Sequence, residues 1–191
     1  MIVAIEGPNG VGKTSLMEAY AKLNPDVLCQ LCVPGIYMNN HDVKSYMLFE
    51  ASALGSAFYF LSGLIEGKVL NEKSQYSKIL IDRSIWSTFA AAYSKDETSI
   101  IPLFKVLEEI QSYIHLPDKT FVLHASYETC AKRIGKKLAG NNFDKDDIIQ
   151  FNKKISFYNL LKQRGNDITF IDTDNKTKEE VLTSFSNLLV W

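Results

Sequence analysis

A glycine-rich run, Gly7-Pro8-Asn9-Gly10-Val11-Gly12, leads directly into Lys13, Thr14 and Ser15. The pattern G-x-x-x-x-G-K-[ST] is complete, and it lies between an apolar stretch that reads as a strand and a segment that reads as a helix, the setting in which it holds a phosphate chain. The glycines let the backbone curl so that its N–H groups face phosphate oxygens, and the helix N-terminus adds a favourable dipole. In such a loop Lys13 reaches the β- and γ-phosphates, and the Thr14 hydroxyl ligates Mg²⁺.

A second chemical stretch is Lys78-Ile79-Leu80-Ile81-Asp82-Arg83-Ser84, an apolar strand that ends in an acid and a base. An acidic strand end beside a phosphate loop can hold Mg²⁺ through water or take an acceptor's proton. An arginine next to it can bind phosphate oxygens bidentately. A guanine-reading N-K-x-D is not supplied: Asn175-Lys176-Thr177-Lys178 has lysine where the carboxylate is needed. Leu61-Ser62-Gly63-Leu64 lies too near the phosphate loop to be a transporter ATPase signature.

These groups must be carried by strands and helices. The pattern predicts strands over Ile2 to Glu6, Val27 to Val33, Lys78 to Asp82, Thr120 to His124 and Asp167 to Asp172. Helices are predicted over Lys13 to Leu23, Val43 to Gly67, Ile85 to Tyr93, Pro102 to Ile114, Tyr127 to Lys137, Asp144 to Lys162 and Lys178 to Leu189. Strands separated by segments of this length make right-handed crossovers, so an α/β fold is expected, a parallel sheet with helices on both faces. Ligands collect at the carboxyl ends of such strands. The polar stretch from Leu138 to Asp147 reads as a loop, and Asp144, Asp146 and Asp147 as the start of the helix after it.

With 191 residues and 21.6 kDa the chain fits a single domain, 1–191. Its net charge of −1 argues against wrapping long nucleic acid, which needs many phosphate-neutralising cations. The opening Met-Ile-Val-Ala-Ile is too short for a secretory core, and the apolar stretch 46–65 is broken by Glu50, serines and glycines, so a cytoplasmic protein with no membrane span is expected. Cys29 and Cys32 spell C-x-x-C, but on a strand they point to opposite faces and cannot share one metal. None of His41, His115 and His124 pairs with a Cys, Asp or Glu at ligand spacing in the sequence, and no chemistry is expected of them.

With these motifs in place, the chain resembles the thymidylate kinases and the related deoxynucleoside kinases. Ile5-Glu6-Gly7 is similar to their shared opening, and Asp82-Arg83-Ser84-Ile85-Trp86-Ser87-Thr88-Phe89-Ala90 to the thymidylate kinase D-R-Y-x-x-S-x-x-A. The Arg-Ser pair is nearer the deoxynucleoside kinase E-R-S. Val122 to Lys137 resembles the strand and helix that enter their lid, and Phe157 to Leu161 their next helix. The resemblance implies a nucleoside monophosphate kinase-like fold with strand order 2-3-1-4-5, a lid at about 134–147, ATP and Mg²⁺ as cosubstrates, a small nucleotide or nucleoside as acceptor, and often a homodimer. Gly7 to Ser15 then cradle the ATP phosphates, Thr14 and Asp82 hold the metal, and Arg83 serves the transferring phosphoryl. Arg133 matches the lid arginine, with Lys136 and Lys137 where further arginines are expected. Asn9 stands where an aspartate meets the acceptor sugar, and Phe49 or Tyr59 would stack on the acceptor base.

The departures concern the acceptor. The thymidylate kinase R-E-P-G is here Cys32-Val33-Pro34-Gly35, and no arginine precedes Arg83. The glutamate that serves deoxynucleoside kinases as base is Val33, and Glu50, the only acid in mid-helix, reads as exposed. Transfer from ATP to a nucleoside monophosphate, deoxythymidylate foremost, is the principal expectation. The alternatives are transfer to an unphosphorylated nucleoside or other small alcohol, and a non-catalytic nucleotide-binding module.

Overall fold

The computed structural model describes residues 1–33, 39–72, 76–137 and 148–191, with the backbone alone described at 49, 70–72, 136 and 137. Five strands form one parallel sheet in the order β2-β3-β1-β4-β5, the order the resemblance implies. They are β1 (Ile2–Glu6), β2 (Leu28–Leu31), β3 (Ile79–Asp82), β4 (Lys119–His124) and β5 (Ile168–Asp172). Central β1 is nearly continuous in apolar residues because both faces of a parallel sheet are covered by helices.

The helices are α1 (Lys13–Leu23), α2 (His41–Phe49), α3 (Ala53–Glu72), α4 (Ile85–Lys95), α5 (Ile100–Ile110), α6 (Tyr127–Lys137), α7 (Ile148–Gln163) and α8 (Lys178–Leu188). On one face Val3, Ile5, Leu80, Phe121 and Leu123 pack with Leu16 and Tyr20 of α1 and Phe185 of α8. On the other, Val122 and Ile168 pack with α3, α4, α5 and α7 through Leu61, Phe89, Leu103 and Phe157. Cys29 joins the first cluster and Cys32 the second, so strand alternation sends the two thiols to opposite faces.

One helix departs from expectation. The segment predicted as a single helix over 43–67 is two, α2 and α3, parted at Glu50 to Ser52. Asn40 Oδ1 caps the start of α2 by accepting from Val43 N at 3.1 Å. The Ser52 hydroxyl likewise accepts from Gly55 N at 3.1 Å, a local bond that starts a fresh helix rather than extending the old one. Further on, the helix predicted from Pro102 begins at Ile100, with Pro102 in the first turn where its missing N–H costs nothing. It ends at Ile110 and tightens into a 3₁₀ turn over Gln111–Tyr113. The acidic helix start at Asp144 to Asp147, and most of the lid expected at about 134–147, lie outside the described residues.

Candidate active site

The phosphate loop leaves β1 at Glu6 and enters α1 at Lys13. Gly7 has φ +125, and a Cβ there would stand 2.1 Å from the Leu123 carbonyl oxygen, so the loop rests directly on the backbone of β4. Gly12 has φ +102 and its missing Cβ would meet nothing within 4 Å. Lys13 is 7% exposed, and its Nζ donates to the carbonyls of Gly7 and Pro8, both at 2.9 Å. The ammonium is thereby folded across the loop it follows.

Parallel pairing puts Asp82 of β3 level with Ile5 of β1, beside the loop. The Thr14 hydroxyl donates to Asp82 Oδ2 at 3.3 Å, while Asp82 Oδ1 is buried with no hydrogen-bond partner. An orphaned carboxylate oxygen beside a hydroxyl is the hard, oxygen-only donor set that Mg²⁺ takes, with waters and phosphates completing its shell. Arg83 follows with φ 71, a left-handed backbone unusual for a non-glycine residue, fixed by its N–H on the Ile5 carbonyl at 2.9 Å. That turn directs the guanidinium back over the loop: Nη2 donates to Asn9 Oδ1, and Nη1 to Ser87 Oγ at 3.2 Å. Asn9 and Arg83, assigned to the acceptor side on separate grounds, therefore touch.

Sequence reasoning passed over Glu6. It is fully buried, and its carboxylate accepts from three hydroxyls: Ser84 at 2.6 Å, Ser87, and Tyr158 of α7 at 2.9 Å. Burial, and then the Glu6 charge, push the Tyr158 phenol well above its usual range, so it remains a donor. The signal was available, since an acid closing an apolar strand that is covered on both faces must find donors.

At the donor end Arg133 of α6 reaches the loop. Its Nη2 donates to the Thr173 carbonyl at 2.7 Å and its Nη1 to the Thr173 hydroxyl at 3.1 Å, with the Gly10 carbonyl at 3.5 Å. The Thr173 hydroxyl lies within hydrogen-bond distance of the carbonyls of Val11 and His124, tying the end of β5 to the loop. A cavity of about 580 Å³ runs from Asp82 and Arg83 over the loop, including Ser15, to Arg133, Ile134, Thr173, Lys176, Thr177, Lys178 and Val181. The stretch that fails as a guanine reader thus lines the far end of this cavity. Its place follows from the rule that ligands gather at strand carboxyl ends, here the end of β5.

Of the other residues singled out, Tyr59 is half-buried in α3 and is not among the cavity's lining, and Glu50 is exposed at the end of α2. The side chains of Phe49, Lys136 and Lys137, and all of Pro34 and Gly35, lie outside the described residues. Burial pushes the Cys32 thiol far above its ordinary range, with Glu6 and Asp82 adding to it, so it is no nucleophile.

No family model matches the chain. Among curated proteins it is similar to the thymidylate kinase of Mycoplasma pneumoniae, 26% identical over 188 residues that cover 93% of this chain and 89% of that one. The thymidylate kinase of Mycoplasma genitalium is also 26% identical, over 99% of this chain and 93% of that one. Among solved structures, a deoxyadenosine kinase from M. mycoides with bound dATP matches with TM-score 0.74 at 15% identity, covering 98% of both chains. A thymidylate kinase from Candida albicans matches with TM-score 0.72 at 20% identity, over 98% of this chain and 89% of that one.

Proposed function

We propose that this chain, a P-loop kinase like the thymidylate and deoxynucleoside kinases, moves the γ-phosphoryl of ATP to the phosphate of a nucleoside monophosphate, with deoxythymidylate the acceptor of first choice. The observation that carries the reading is the meeting, across one cavity, of the loop with Lys13 and Thr14, the half-unsatisfied Asp82 carboxylate, and the Arg83 fork held on Asn9. An oxygen of the acceptor phosphate attacks the γ-phosphorus, the bond to the β–γ bridging oxygen breaks, and ADP leaves. Loop N–H groups and Lys13 hold the β- and γ-phosphates, and Arg83 binds the equatorial oxygens of the group in flight. Asn9 hydrogen-bonds the acceptor, and Arg133 steadies the donor from the far end of the loop. Thr14 and Asp82 are the residues that would hold Mg²⁺, which when bound neutralises phosphate charge.

Release of ADP from ATP and Mg²⁺ in the presence of a panel of nucleoside monophosphates tests the reading. Deoxythymidylate is expected to give the highest kcat/KM, and a panel in which no monophosphate stimulates release overturns it. A second reading rests on one specific observation, the absence of any arginine before Arg83. On it the acceptor is an unphosphorylated nucleoside, and the same panel would saturate with nucleosides and gain nothing from 5′-phosphates.

The whole chain is read as one domain, with 134–147 as its lid and the cytoplasm, where ATP and nucleotides are at hand, as its setting. Among the described residues no helix is long and apolar enough to cross a membrane. Phe58, Ile65 and Val69 recur at helical spacing along α3 and are exposed, which supports pairing with a second copy. Sedimentation of the protein as a monomer would remove the dimer from the reading.

A further inference from the structure

Glu6 touches neither the cavity nor the phosphate loop's ligand face, yet it is a fully buried carboxylate held by hydroxyls from two helices. Ser84 Oγ does two things at once: it donates to Glu6 and accepts from Trp86 N at 3.2 Å, so it is also the N-cap of α4. Ser87, one turn further on, donates to Glu6 and accepts from Arg83 Nη1. A serine hydroxyl has one proton, so spending it on Glu6 leaves only lone pairs facing the guanidinium. From these polarities we infer that Glu6 is a positioning residue for phosphoryl transfer, which acts through Ser87 to aim the Arg83 fork and through Ser84 to fix the start of the helix behind it.

The carboxylate fits this task where a neutral group does not. An acceptor-only group forces both serine protons inward, so the direction of each bond in the chain Arg83 to Ser87 to Glu6 is set. An amide at position 6 has one donor end, which must face Ser84 or the Ser87–Tyr158 pair and turn at least one hydroxyl around. The turned hydroxyl keeps a lone pair for its outer donor, but its proton is no longer held by position 6, so the polarity of the bond to Arg83 or to the helix start is no longer fixed. The position also explains why the acid closes β1: it ties the strand that launches the loop to the helix behind Arg83, so that loop and fork move as one.

The inference rests on the kinase reading for its kinetic consequence but not for its geometric one, and the experiment separates the two. Parent, Glu6→Gln, Ser87→Ala, Ser87→Thr and the Glu6→Gln/Ser87→Ala double variant are compared in the full chain. With the best acceptor, Glu6→Gln and Ser87→Ala are each expected to lower kcat by about ten- to a hundredfold while KM for ATP stays within about twofold. Ser87→Thr, which keeps the hydroxyl, recovers most of the loss. The double variant falls no further than the worse single one, because both break one chain of bonds. In parallel, ¹⁵N-arginine spectra should show a resolved, slowly rotating Nη1 group for Arg83 in the parent and in Ser87→Thr, and an averaged one in Glu6→Gln and Ser87→Ala. Variants that melt lower yet keep kcat and the Arg83 signal would make Glu6 purely structural and overturn the inference, as would additive losses in the double variant. If the parent transfers phosphate to no acceptor, the kinase reading fails, and the spectra alone decide the inference.

Discussion

Gly7 and Gly12 share a left-handed backbone but differ in what surrounds them, and that difference divides stability from nucleotide binding. At either position alanine adopts a disfavoured φ, a strain of about 2 kcal/mol. At Gly12 the added methyl meets nothing within 4 Å, so strain is the whole cost to the fold. At Gly7 the methyl would stand 2.1 Å from the Leu123 carbonyl oxygen and 3.1 Å from its carbon, both backbone atoms of a buried strand that cannot turn aside. Relieving that overlap adds about 2 kcal/mol, the middle of the range for overpacking. At about 2 to 4 °C per kcal/mol for a chain of this size, Gly12→Ala should melt about 4 to 8 °C below the parent and Gly7→Ala about 8 to 16 °C below it. ATP affinity runs the other way relative to stability. Gly12 lines the cavity, and a methyl there obstructs the approach of phosphate to loop N–H groups. Losing two charge-assisted bonds of about 1.5 kcal/mol each weakens binding roughly a hundredfold. Differential scanning calorimetry and isothermal titration with ATP measure the two effects. Equal melting temperatures for the variants, or undiminished ATP binding by Gly12→Ala, would refute the argument.

Three further outcomes follow from other parts of the site. Asp82→Asn keeps the side chain's shape and its contact with Thr14 but removes the charge, so kcat should fall about a hundredfold and part of it return as Mg²⁺ is raised in a titration. Arg133→Lys replaces the planar two-nitrogen fork on the Thr173 hydroxyl and carbonyl by a single ammonium, and steady-state kinetics should show KM for ATP raised about tenfold with kcat less affected. The stability of the parent should decline in alkali: burial pushes Cys130 up to about 11 from 9.0, and Tyr158 well above 10.0, so above pH 9 and then above pH 10 the unfolded chain loses protons that the folded one keeps. Denaturant unfolding across pH 8 to 11 should show that decline, and Tyr158→Phe should start less stable at neutral pH and converge on the parent as pH rises.

How much of this was legible in the sequence depends on whether a residue's role is local. The loop, the strand that ends in Asp82 and the sheet built on alternating strands and helices are local or periodic features, and they can be read directly. The break between α2 and α3 could not be read from apolar spacing, since Ser52 looks like any polar residue until its hydroxyl takes the Gly55 N–H. Thr173 and Glu6 escaped notice for a different reason. Each acts through partners far along the chain, Thr173 on Arg133 and Glu6 on Ser84, Ser87 and Tyr158, and no spacing rule records such pairs.

The partners of Arg83 bear on what the site accepts. Its direct contacts, Asn9 and Ser87, are neutral, and among the described residues no carboxylate forms an ion pair with it. Glu6 stands one hydroxyl behind, near enough to orient the fork but not to cancel it in contact. On the proposed reading, in which Arg83 serves the acceptor and no arginine precedes it in the chain, an acceptor phosphate would meet this uncancelled charge. Asn9→Asp would put a carboxylate against Nη2 with little change of shape. At about 4 Å and an effective dielectric near 20 the pair attracts by about 4 kcal/mol before solvent screening, and at half-buried groups about 1 kcal/mol of it should be felt. KM for a nucleoside monophosphate should therefore rise about fivefold, from both the neutralised fork and the repulsion of one anion by another. KM for an uncharged nucleoside should hold, while kcat falls with either acceptor because the neutralised fork also serves the group in flight. Acceptor saturation curves for parent and variant measure this directly. An unchanged KM for the monophosphate would mean that Arg83 is not its anchor, and would move the acceptor phosphate to a cation elsewhere in the site.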